Sequence, residues 1–275
     1  MGTHESGGTK AGTQGSGLVK HPAKYSKAIL HLIQREVQKI VNNGDLGEWY
    51  IIDPFGGVGG IFDLHAMEFD YEPGELTLKI TCVEIEEEWA QVAAIHPRYR
   101  PTHDQVICVD FFDFSNHPSV RETYDMVIVS PTYGNRMADH HDAKDDSKRN
   151  TYKHTLGRDP SEGSSAVMQW GEEYRQFHAN AWAEVMNLLR PGGYFLLNVK
   201  DHIRKGEKMP VVAWHKAMVQ ALGFTLLYTH QVATPGHREG ENHELRVDGE
   251  SVFIFQKPWT VAERTGAEFG QVALR

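Results

Sequence analysis

Residues 49–60 read WYIIDPFGGVGG, an apolar run that ends at Asp53 and passes directly into a glycine-rich turn. A short apolar run of this kind is typical of a strand that is buried on both faces of a parallel sheet. Glycines let the backbone adopt dihedral angles that other residues avoid and approach a ligand closely. The strict spacing of a dinucleotide fingerprint is absent, so the turn alone is a weak indication of its ligand.

Strand-like and helix-like segments alternate along the chain around this turn. Further strand candidates lie at 78–84, 105–109, 124–129, 194–199, 224–232 and 251–255. Apolar residues recur with helical spacing at 25–41, 86–95, 172–189 and 211–222. The alternation predicts a Rossmann-like α/β fold, in which helices cover both faces of a mostly parallel seven-stranded sheet. A polar connection at 234–249 replaces a helix between the last two strands, which favours an antiparallel last strand.

Composition divides the chain into three parts. Residues 1–18 are rich in Gly, Ser and Thr and predict a flexible tail, residues 19–260 hold the α/β domain, and residues 261–275 form a C-terminal extension. Inside the domain, a polar insert at 136–168 interrupts the alternation. Loops of this length in compact domains tend to be functional, and a solvated surface excursion is the alternative.

Overall charge and cysteine usage exclude some classes of protein. The net charge of −9 argues against a protein that coats nucleic acid with its whole surface, but it leaves a local basic cleft open. No apolar run reaches membrane-spanning length, and no secretory signal is evident. Cys82 and Cys108 stand apart and the histidines are scattered, so neither a disulfide framework nor a metal site is expected. We therefore expect a cytoplasmic protein with no membrane partner.

Acidic residues stand where three successive strands end, at the edge where such sheets bind ligands. Asp53 can accept from an ammonium group, and Glu84 can accept from two ribose hydroxyls. Asp110 can accept from an adenine amino group, with Phe111 and Phe112 as an apolar wall. Each acid alone could be a helix N-cap, but three in register favour one shared ligand. Because the glycine turn holds no Lys or Arg, S-adenosylmethionine (SAM) fits better than a phosphate-bearing dinucleotide.

The fourth strand ends in the sequence SPTY at 130–133, which we call the catalytic turn. It resembles the [DNS]-P-P-[YF] motif of SAM-dependent DNA amino-methyltransferases, and DPFGGVG at 53–59 resembles their cofactor motif. Three further segments are similar to that family, HPAK at 21–24, RPGG at 190–193 and NVKD at 198–201. The resemblance spans about residues 19–256 and implies a class I SAM-dependent methyltransferase fold. Thr132 stands where the family usually has a second proline.

The resemblance and the acids together imply a cofactor site and a catalytic site. The cofactor residues would be His21, Asp53, Phe55, Gly57, Gly59, Glu84, Asp110 and Phe111. In the catalytic turn, the Ser130 hydroxyl oxygen and the Pro131 carbonyl would accept hydrogen bonds from the amino group of a base, whose lone pair is otherwise delocalised. Tyr133 would stack on that base, which must first be flipped out of a duplex.

Substrate contacts are expected from the catalytic turn and from the polar insert. The predicted substrate-binding residues are Thr132, Asn135, Arg136, Lys148, Arg149 and Lys153. Basic residues beside the pocket would clamp the phosphates that flank the flipped base. Aspartates in the same insert support the alternative, an exposed loop whose charges pair with one another.

These features predict a SAM-dependent DNA methyltransferase that acts on an exocyclic amine. Serine at the first motif position resembles the cytosine-N4 group more than the adenine-N6 group. RNA or a protein glutamine amide is an alternative substrate, and a catalytically silent SAM-binding or nucleic-acid-binding module is a further alternative. Cytosine C5 methylation is disfavoured, because neither Cys82 nor Cys108 lies at the end of the fourth strand. A homodimer, a restriction partner and the recognised sequence remain open.

Overall fold

A computed structural model of the chain describes residues 25–44, 47–67, 75–134, 152–234 and 247–259. Its strands are β1 Gly47–Asp53, β2 Leu76–Glu84, β3 Gln105–Cys108, β4 Tyr124–Val129, β5 Leu189–Val199, β6 His202–Arg204, β7 Glu207–Met209, β8 Thr225–Ala233 and β9 Gly249–Gln256. Its α-helices are α1 Lys27–Asn42, α2 Glu87–Ala94, α3 Phe111–Ser115, α4 Tyr152–Leu156, α5 Glu172–Leu188 and α6 Val211–Ala221. Short 3₁₀ helices lie at Gly60–Ala66, Pro118–Val120 and Ser165–Val167.

Seven strands form one sheet in the order β3-β2-β1-β4-β5-β9-β8. Strands β1 to β5 pair in parallel, whereas β9 runs antiparallel to both β5 and β8. The predicted Rossmann-like sheet with an antiparallel last strand is therefore confirmed. The strand order reverses between β1 and β4, and open α/β sheets bind ligands at such a switch point.

The sheet is covered on both faces, as the apolar run at its centre predicts. Adjacent residues of β1 point to opposite faces. Ile51 packs in the layer that contains Ile29 and Ile33 of α1, and Ile52 packs in the layer that contains Trp182 and Val185 of α5. No helix in the described part of the chain is both long enough and apolar enough to cross a membrane.

Several features differ from the sequence prediction, among them the short helices α3 and α4, which were not predicted. Strand β5 begins at Leu189 and not at 194, because Gly192 and Gly193 exchange backbone hydrogen bonds with Lys257 and so lengthen the ladder. The short hairpin of β6 and β7 was not predicted. The predicted tail at 1–18, the extension at 261–275 and residues 135–151 lie outside the described residues.

Candidate active site

The carboxyl ends of the parallel strands bring the predicted acids to one edge of the sheet. Asp53 is the last residue of β1 and Glu84 the last residue of β2, and these strands pair directly. Asp110 follows β3, and Ser130 follows β4 on the other side of β1. The acids and the start of the catalytic turn therefore lie around the switch point.

Glu84 is bonded to the glycine turn. Its Oε2 accepts a hydrogen bond from the N–H of Gly57 at 2.7 Å, and its Oε1 accepts one from the N–H of Glu86 at 2.8 Å. Gly57 and Gly59 have φ values of 54° and 78°, in the left-handed region that favours glycine. The turn depends on glycine for its shape and on Glu84 for its position beside β2.

Asp53 and Glu84 are buried carboxylates that titrate near neutral pH. Asp53 is 1% exposed and accepts hydrogen bonds from the Phe55 N–H and the Tyr25 hydroxyl, both at 3.1 Å. Burial raises the pKa of Asp53 and of Glu84 to about 7, because the charged form loses its water. Hydrogen bonds to the ionised forms lower the pKa of both acids, but they offset burial only in part.

The same two carboxylates fit a ligand that brings donors and positive charge. A carboxylate oxygen has two lone pairs, and each oxygen of Asp53 and Glu84 accepts one protein hydrogen bond. The remaining lone pairs can accept from an ammonium group and from ribose hydroxyls. A positive ligand charge also favours the ionised acids. The ammonium group and the ribose hydroxyls of SAM can therefore donate hydrogen bonds to this pair of carboxylates.

Asp110 is both a helix cap and a neighbour of the polar insert. Its Oδ1 accepts a hydrogen bond from the Phe112 N–H at 2.7 Å and caps α3, the alternative role considered from the sequence. Its Oδ2 lies against Gly163, where an added Cβ would be 2.7 Å away. Gly163 has a φ of +90°, so glycine is favoured there on two grounds. Contact of Asp110 with an adenine stays a prediction.

Aromatic side chains pack around Phe55 at the start of the glycine turn. The Phe55 ring lies edge-to-face against Phe111 with centroids 5.6 Å apart, and 6.0 Å from the ring of Phe177. Phe111 is 4% exposed and belongs to the core, so its direct contact with a cofactor stays a prediction. Tyr25 contacts Asp53, whereas His21, four residues earlier, lies outside the described residues.

Four side chains from three strand ends converge at the catalytic turn. Ser130 Oγ lies 3.0 Å from the Tyr133 hydroxyl, which lies 3.1 Å from Glu250 Oε2. Asn198 Nδ2 lies 3.0 Å from Ser130 Oγ, 3.1 Å from Tyr133 Oη and 2.8 Å from Glu250 Oε2. Asn198 comes from the end of β5 and Glu250 from the start of β9. The sequence suggests a role only for the ring of Tyr133, but in the structure its hydroxyl also forms hydrogen bonds.

The direction of these hydrogen bonds follows from the chemistry of the groups. A carboxylate only accepts, so Tyr133 donates its one hydroxyl hydrogen to Glu250. Tyr133 Oη must then accept from Ser130, whose hydrogen is therefore directed toward Tyr133. Burial, and then the charge of Glu250, raise the pKa of Tyr133, which keeps its proton. Ser130 Oγ accepts from Asn198 Nδ2 and retains one lone pair for an incoming amine.

A buried chain of hydrogen bonds holds the backbone of the catalytic turn. The indole Nε1 of Trp182 only donates, so His215 Nδ1 accepts from it at 2.9 Å, and His215 Nε2 carries the ring hydrogen. That hydrogen is donated to Tyr174 Oη at 2.9 Å, and Tyr174 donates its own to the carbonyl of Thr132 at 2.7 Å. Burial lowers the pKa of His215, which keeps the ring neutral. Side chains of helices α5 and α6 thus hold the backbone of the catalytic turn in place.

Thr132 links the catalytic turn to the insert. Its Oγ1 lies 2.8 Å from Ser165 Oγ and 3.1 Å from the Ser165 carbonyl. Nearby, the N–H of Trp170 donates to the carbonyl of Gly134 at 2.7 Å. A second proline at position 132 could not make the hydroxyl contacts. Threonine at this position, where the resembling motif has proline, therefore contributes hydrogen bonds in this structure, and contact of Thr132 with a substrate stays a prediction.

Residues 158–161 of the insert are bonded to the loop after β2. Glu86 is fully buried and accepts from the Ser161 N–H at 2.8 Å and the Ser161 hydroxyl at 2.9 Å. Arg158 Nη2 lies 2.8 Å from Glu86 and 2.6 Å from Glu88. Residues 158–170, which we call the bridge, therefore connect the cofactor side of the sheet edge to the catalytic turn.

The described part of the polar insert packs onto the domain, and one of its lysines pairs with an acid of the same insert. Tyr152 of α4 is 6% exposed, with its ring centroid 4.6 Å from that of Trp89. Lys153 Nζ pairs with Asp159 at 2.5 Å. A DNA phosphate would have to compete with Asp159 for Lys153, so the self-paired alternative applies at this position. Three other predicted contacts, Arg136, Lys148 and Arg149, lie outside the described residues, as does Asn135.

Neither thiol is placed to act as a nucleophile at the catalytic turn. Cys82 lies in β2 under Gly56, where an added Cβ would collide with its sulfur, and burial raises the pKa of its thiol. Cys108 lies at the end of β3, and its thiol pKa is also raised. Within the described ranges, no three His, Cys, Asp or Glu side chains are grouped to hold a metal ion.

Sequence reasoning missed Glu250, Tyr174 and His215. A signal existed for Glu250: the start of an antiparallel strand lies at the same edge as the ends of its parallel neighbours. An acid that opens the predicted antiparallel strand could therefore have been assigned to the ligand edge. The contacts of Tyr174 and His215 depend on how α5 and α6 pack, which their spacing in the sequence does not reveal.

Comparison with known proteins supports the fold. No protein-family model matches this sequence, and no curated protein matches it. Among solved structures, the chain is similar to the [4+2]-cyclase SpnF, with a TM-score of 0.50 and 11% identity over 88% of this chain and 86% of that chain. Since that protein is a cyclase, the shared fold does not by itself fix the reaction.

Two further solved structures resemble the chain less strongly. One, from Listeria monocytogenes, is provisionally described as a class I SAM-dependent methyltransferase, with a TM-score of 0.49 and 13% identity over 86% of this chain and 61% of that chain. The other, from Thermus thermophilus, is a candidate DNA modification methylase in complex with SAM, with a TM-score of 0.33 and 18% identity over 54% of this chain and 51% of that chain. At these identities the likeness concerns the fold alone.

Proposed function

We propose that this chain is a SAM-dependent methyltransferase that methylates the exocyclic amine of a flipped base in DNA, with cytosine N4 favoured over adenine N6. The observation that carries the proposal is the orientation of Ser130. Tyr133 and Glu250 draw its hydroxyl hydrogen away, so its oxygen can accept from an amine. That acceptor lies at the same sheet edge as Asp53 and Glu84.

The cofactor would be held by the residues around the glycine turn. Asp53 would accept from the amino group of SAM, Glu84 from its ribose and Asp110 from its adenine. Gly57 and Gly59 let the turn approach the ligand closely. Once bound, SAM supplies an electrophilic methyl group, and the departing sulfur keeps the electron pair of the broken bond.

The catalytic turn would raise the reactivity of a poor nucleophile. Ser130 Oγ and the Pro131 carbonyl would each accept one hydrogen of the amine, which localises the nitrogen lone pair. The bonds to Thr132, through Tyr174 on one side and Ser165 on the other, hold these acceptors in place. Fixed acceptors act by positioning, and no covalent intermediate with the protein is needed.

We propose DNA because the catalytic turn suits the amine of an unstacked base, and the ring of Tyr133 offers a flat surface for that base. The ring of Tyr133 would replace the stacking that a base loses when it leaves the duplex. Arg136, Lys148 and Arg149 of the insert would contact the flanking phosphates. RNA bases and protein glutamine carry amino groups of similar chemistry, so the test includes them as alternative substrates.

Removing the Ser130 acceptor tests the proposed role directly. Ser130→Ala should bind SAM as the wild type does, yet lose most of the methyl transfer from labelled SAM to unmethylated duplex DNA. Ser119→Ala, on the exposed turn at Pro118–Val120, is the matched control and should keep full transfer. Transfer by Ser130→Ala at the wild-type rate would remove the catalytic turn from the mechanism.

A further inference from the structure

We propose that Glu250 is the terminal acceptor of the proton that the methylated amine must release, and that Tyr133 and Ser130 relay this proton. The inference rests on the proposed function and adds a residue to it. Its basis is the unbroken sequence of hydrogen bonds between Ser130 Oγ, Tyr133 Oη and Glu250 Oε2.

A proton must leave because the amine forms a fourth bond. The nitrogen lone pair makes the new C–N bond, so the nitrogen becomes positively charged while it still carries both hydrogens. Loss of one proton restores neutrality. Ser130 Oγ can take it only if the hydroxyl gives up its own hydrogen at the same time, since a doubly protonated serine is far too acidic to persist.

The geometry provides a destination for each displaced proton. The substrate N–H bond breaks as a bond to Ser130 Oγ forms, and the Ser130 hydrogen passes 3.0 Å to Tyr133 Oη. The Tyr133 hydrogen passes 3.1 Å to Glu250 Oε2, which becomes a neutral carboxyl. Both separations are within the range for proton transfer between hydrogen-bonded groups. One proton and one positive charge leave the substrate, and one carboxylate is neutralised.

Glu250 can return the proton to solvent. Its side chain is 14% exposed, and its other oxygen, Oε1, lies 3.9 Å from Lys200 Nζ. Asn198 Nδ2 holds Oε2 at 2.8 Å, which keeps that oxygen beside Tyr133. Asn198 therefore fixes the end of the relay at Oε2, and the exposed part of the side chain allows proton exchange with solvent.

A purely structural role for Glu250 makes a different prediction. Glutamine has nearly the same shape and keeps an oxygen that accepts from Tyr133, but it is not a base. If Glu250 only orients Tyr133, Glu250→Gln should preserve the rate. If Glu250 accepts the proton, the rate should fall by about 10²-fold, the lower end of the range for acid–base catalysis.

The experiment measures single-turnover methyl transfer to unmethylated duplex DNA with saturating labelled SAM. We expect Glu250→Gln and Tyr133→Phe to be slowed to a similar extent, and the double variant to be no slower than either. Formate should partly restore the rate of Glu250→Ala and should not affect Glu250→Gln. Glu122→Gln, an exposed glutamate paired with Lys257, is the control. A Glu250→Gln rate within threefold of the wild type would overturn the relay.

A second measurement is independent of turnover. The unfolding free energies of wild type, Tyr133→Phe, Glu250→Ala and the double variant form a cycle that reports the Tyr133–Glu250 bond, because each of these substitutions removes it. We expect the double variant to lose less than the sum of the single losses, and strict additivity would overturn the relay even if no substrate is methylated. Absence of transfer by the wild type, with coupling intact, would instead refute the proposed function and leave the hydrogen-bonded path standing.

Discussion

Glu84 Oε2 accepts a 2.7 Å hydrogen bond from the backbone N–H of Gly57, a residue 27 positions earlier in the chain. The acid that is proposed to hold the ribose of SAM therefore also holds the glycine turn. Loss of its carboxylate should affect cofactor binding in two ways, through a missing acceptor and through a turn that is less well fixed.

Glu84→Ala should weaken SAM binding by about 1–3 kcal/mol, the scale of a lost hydrogen bond that involves a charged group. Isothermal titration calorimetry measures this directly. Glu87→Ala is a suitable control, because Glu87 is exposed and accepts a hydrogen bond from Gln91 of the same helix. Equal affinities of Glu84→Ala and wild type would remove Glu84 from the cofactor site.

Asp53→Asn should stabilise the cofactor-free protein, and increasingly so as pH rises from 5 to 8. Burial raises the pKa of Asp53 to about 7, so the native state holds a proton that the unfolded state, with a pKa near 4, has released. Stability from such a group is present below the unfolded pKa and is lost as pH rises through the native one. Asparagine has no charge to bury: its Oδ1 can still accept from the Phe55 N–H, and its Nδ2 can donate to the Tyr25 hydroxyl oxygen.

Melting temperatures of Asp53→Asn and wild type across that pH range check the sign. The difference between the two proteins matters, because His178, whose pKa burial lowers to about 4, changes wild-type stability over part of the same range. A stabilisation that shrinks toward pH 8 would be the contrary result. In the wild type, SAM binding at pH 7 should release protons, seen as a dependence of the binding enthalpy on the buffer.

Gly163→Ala should weaken SAM binding far more than Gly157→Ala. Both glycines have positive φ, +90° and +72°, so alanine costs about 1–2 kcal/mol of backbone strain at each position. Only at Gly163 would the new Cβ meet Asp110 Oδ2 at 2.7 Å, whereas nothing lies within 4 Å at Gly157. Equal SAM affinities of the two variants would show that Asp110 does not contact the cofactor.

Thr132→Val should loosen the bridge, residues 158–170, without changing the size of the side chain. Valine keeps the branched shape and loses both contacts to Ser165. Hydrogen exchange should therefore rise within the bridge. Thr132→Pro, which restores the family motif, should have the same effect, whereas Thr123→Val, whose hydroxyl bonds only within its own turn, should not. Unchanged exchange in Thr132→Val would mean that Glu86 and Trp170 hold the bridge alone.

Local sequence pattern sufficed for the sheet and for the placement of the acids. The run from Trp49 to Asp53 and its glycine turn identify a buried strand, and parallel strands end at a common edge, so Glu84 and Asp110 follow. The rest depends on long-range packing. Tyr133 and Glu250 are 117 positions apart, and their contact exists only because β9 runs antiparallel beside β5.

The local sequence pattern also could not show whether a charged side chain is paired with an opposite charge. Lys153 was a predicted phosphate contact, and Arg158 is another cation of the same polar insert. The structure pairs Lys153 with Asp159, a partner that was present in the same insert, and Arg158 with Glu86 and Glu88 across the domain. A count of charges along the insert could not distinguish a free cation from one that an acid already neutralises.

The identity of the methylated product tests the central claim most directly. The protein would be incubated with methyl-labelled SAM and, in separate reactions, duplex DNA, single-stranded DNA, RNA and a glutamine-containing peptide, followed by mass spectrometry of the digested products. We predict labelled N4-methylcytosine from DNA, or N6-methyladenine, and its loss in Ser130→Ala. Label in 5-methylcytosine, in RNA or peptide alone, or in no product despite measurable SAM binding, would contradict the account.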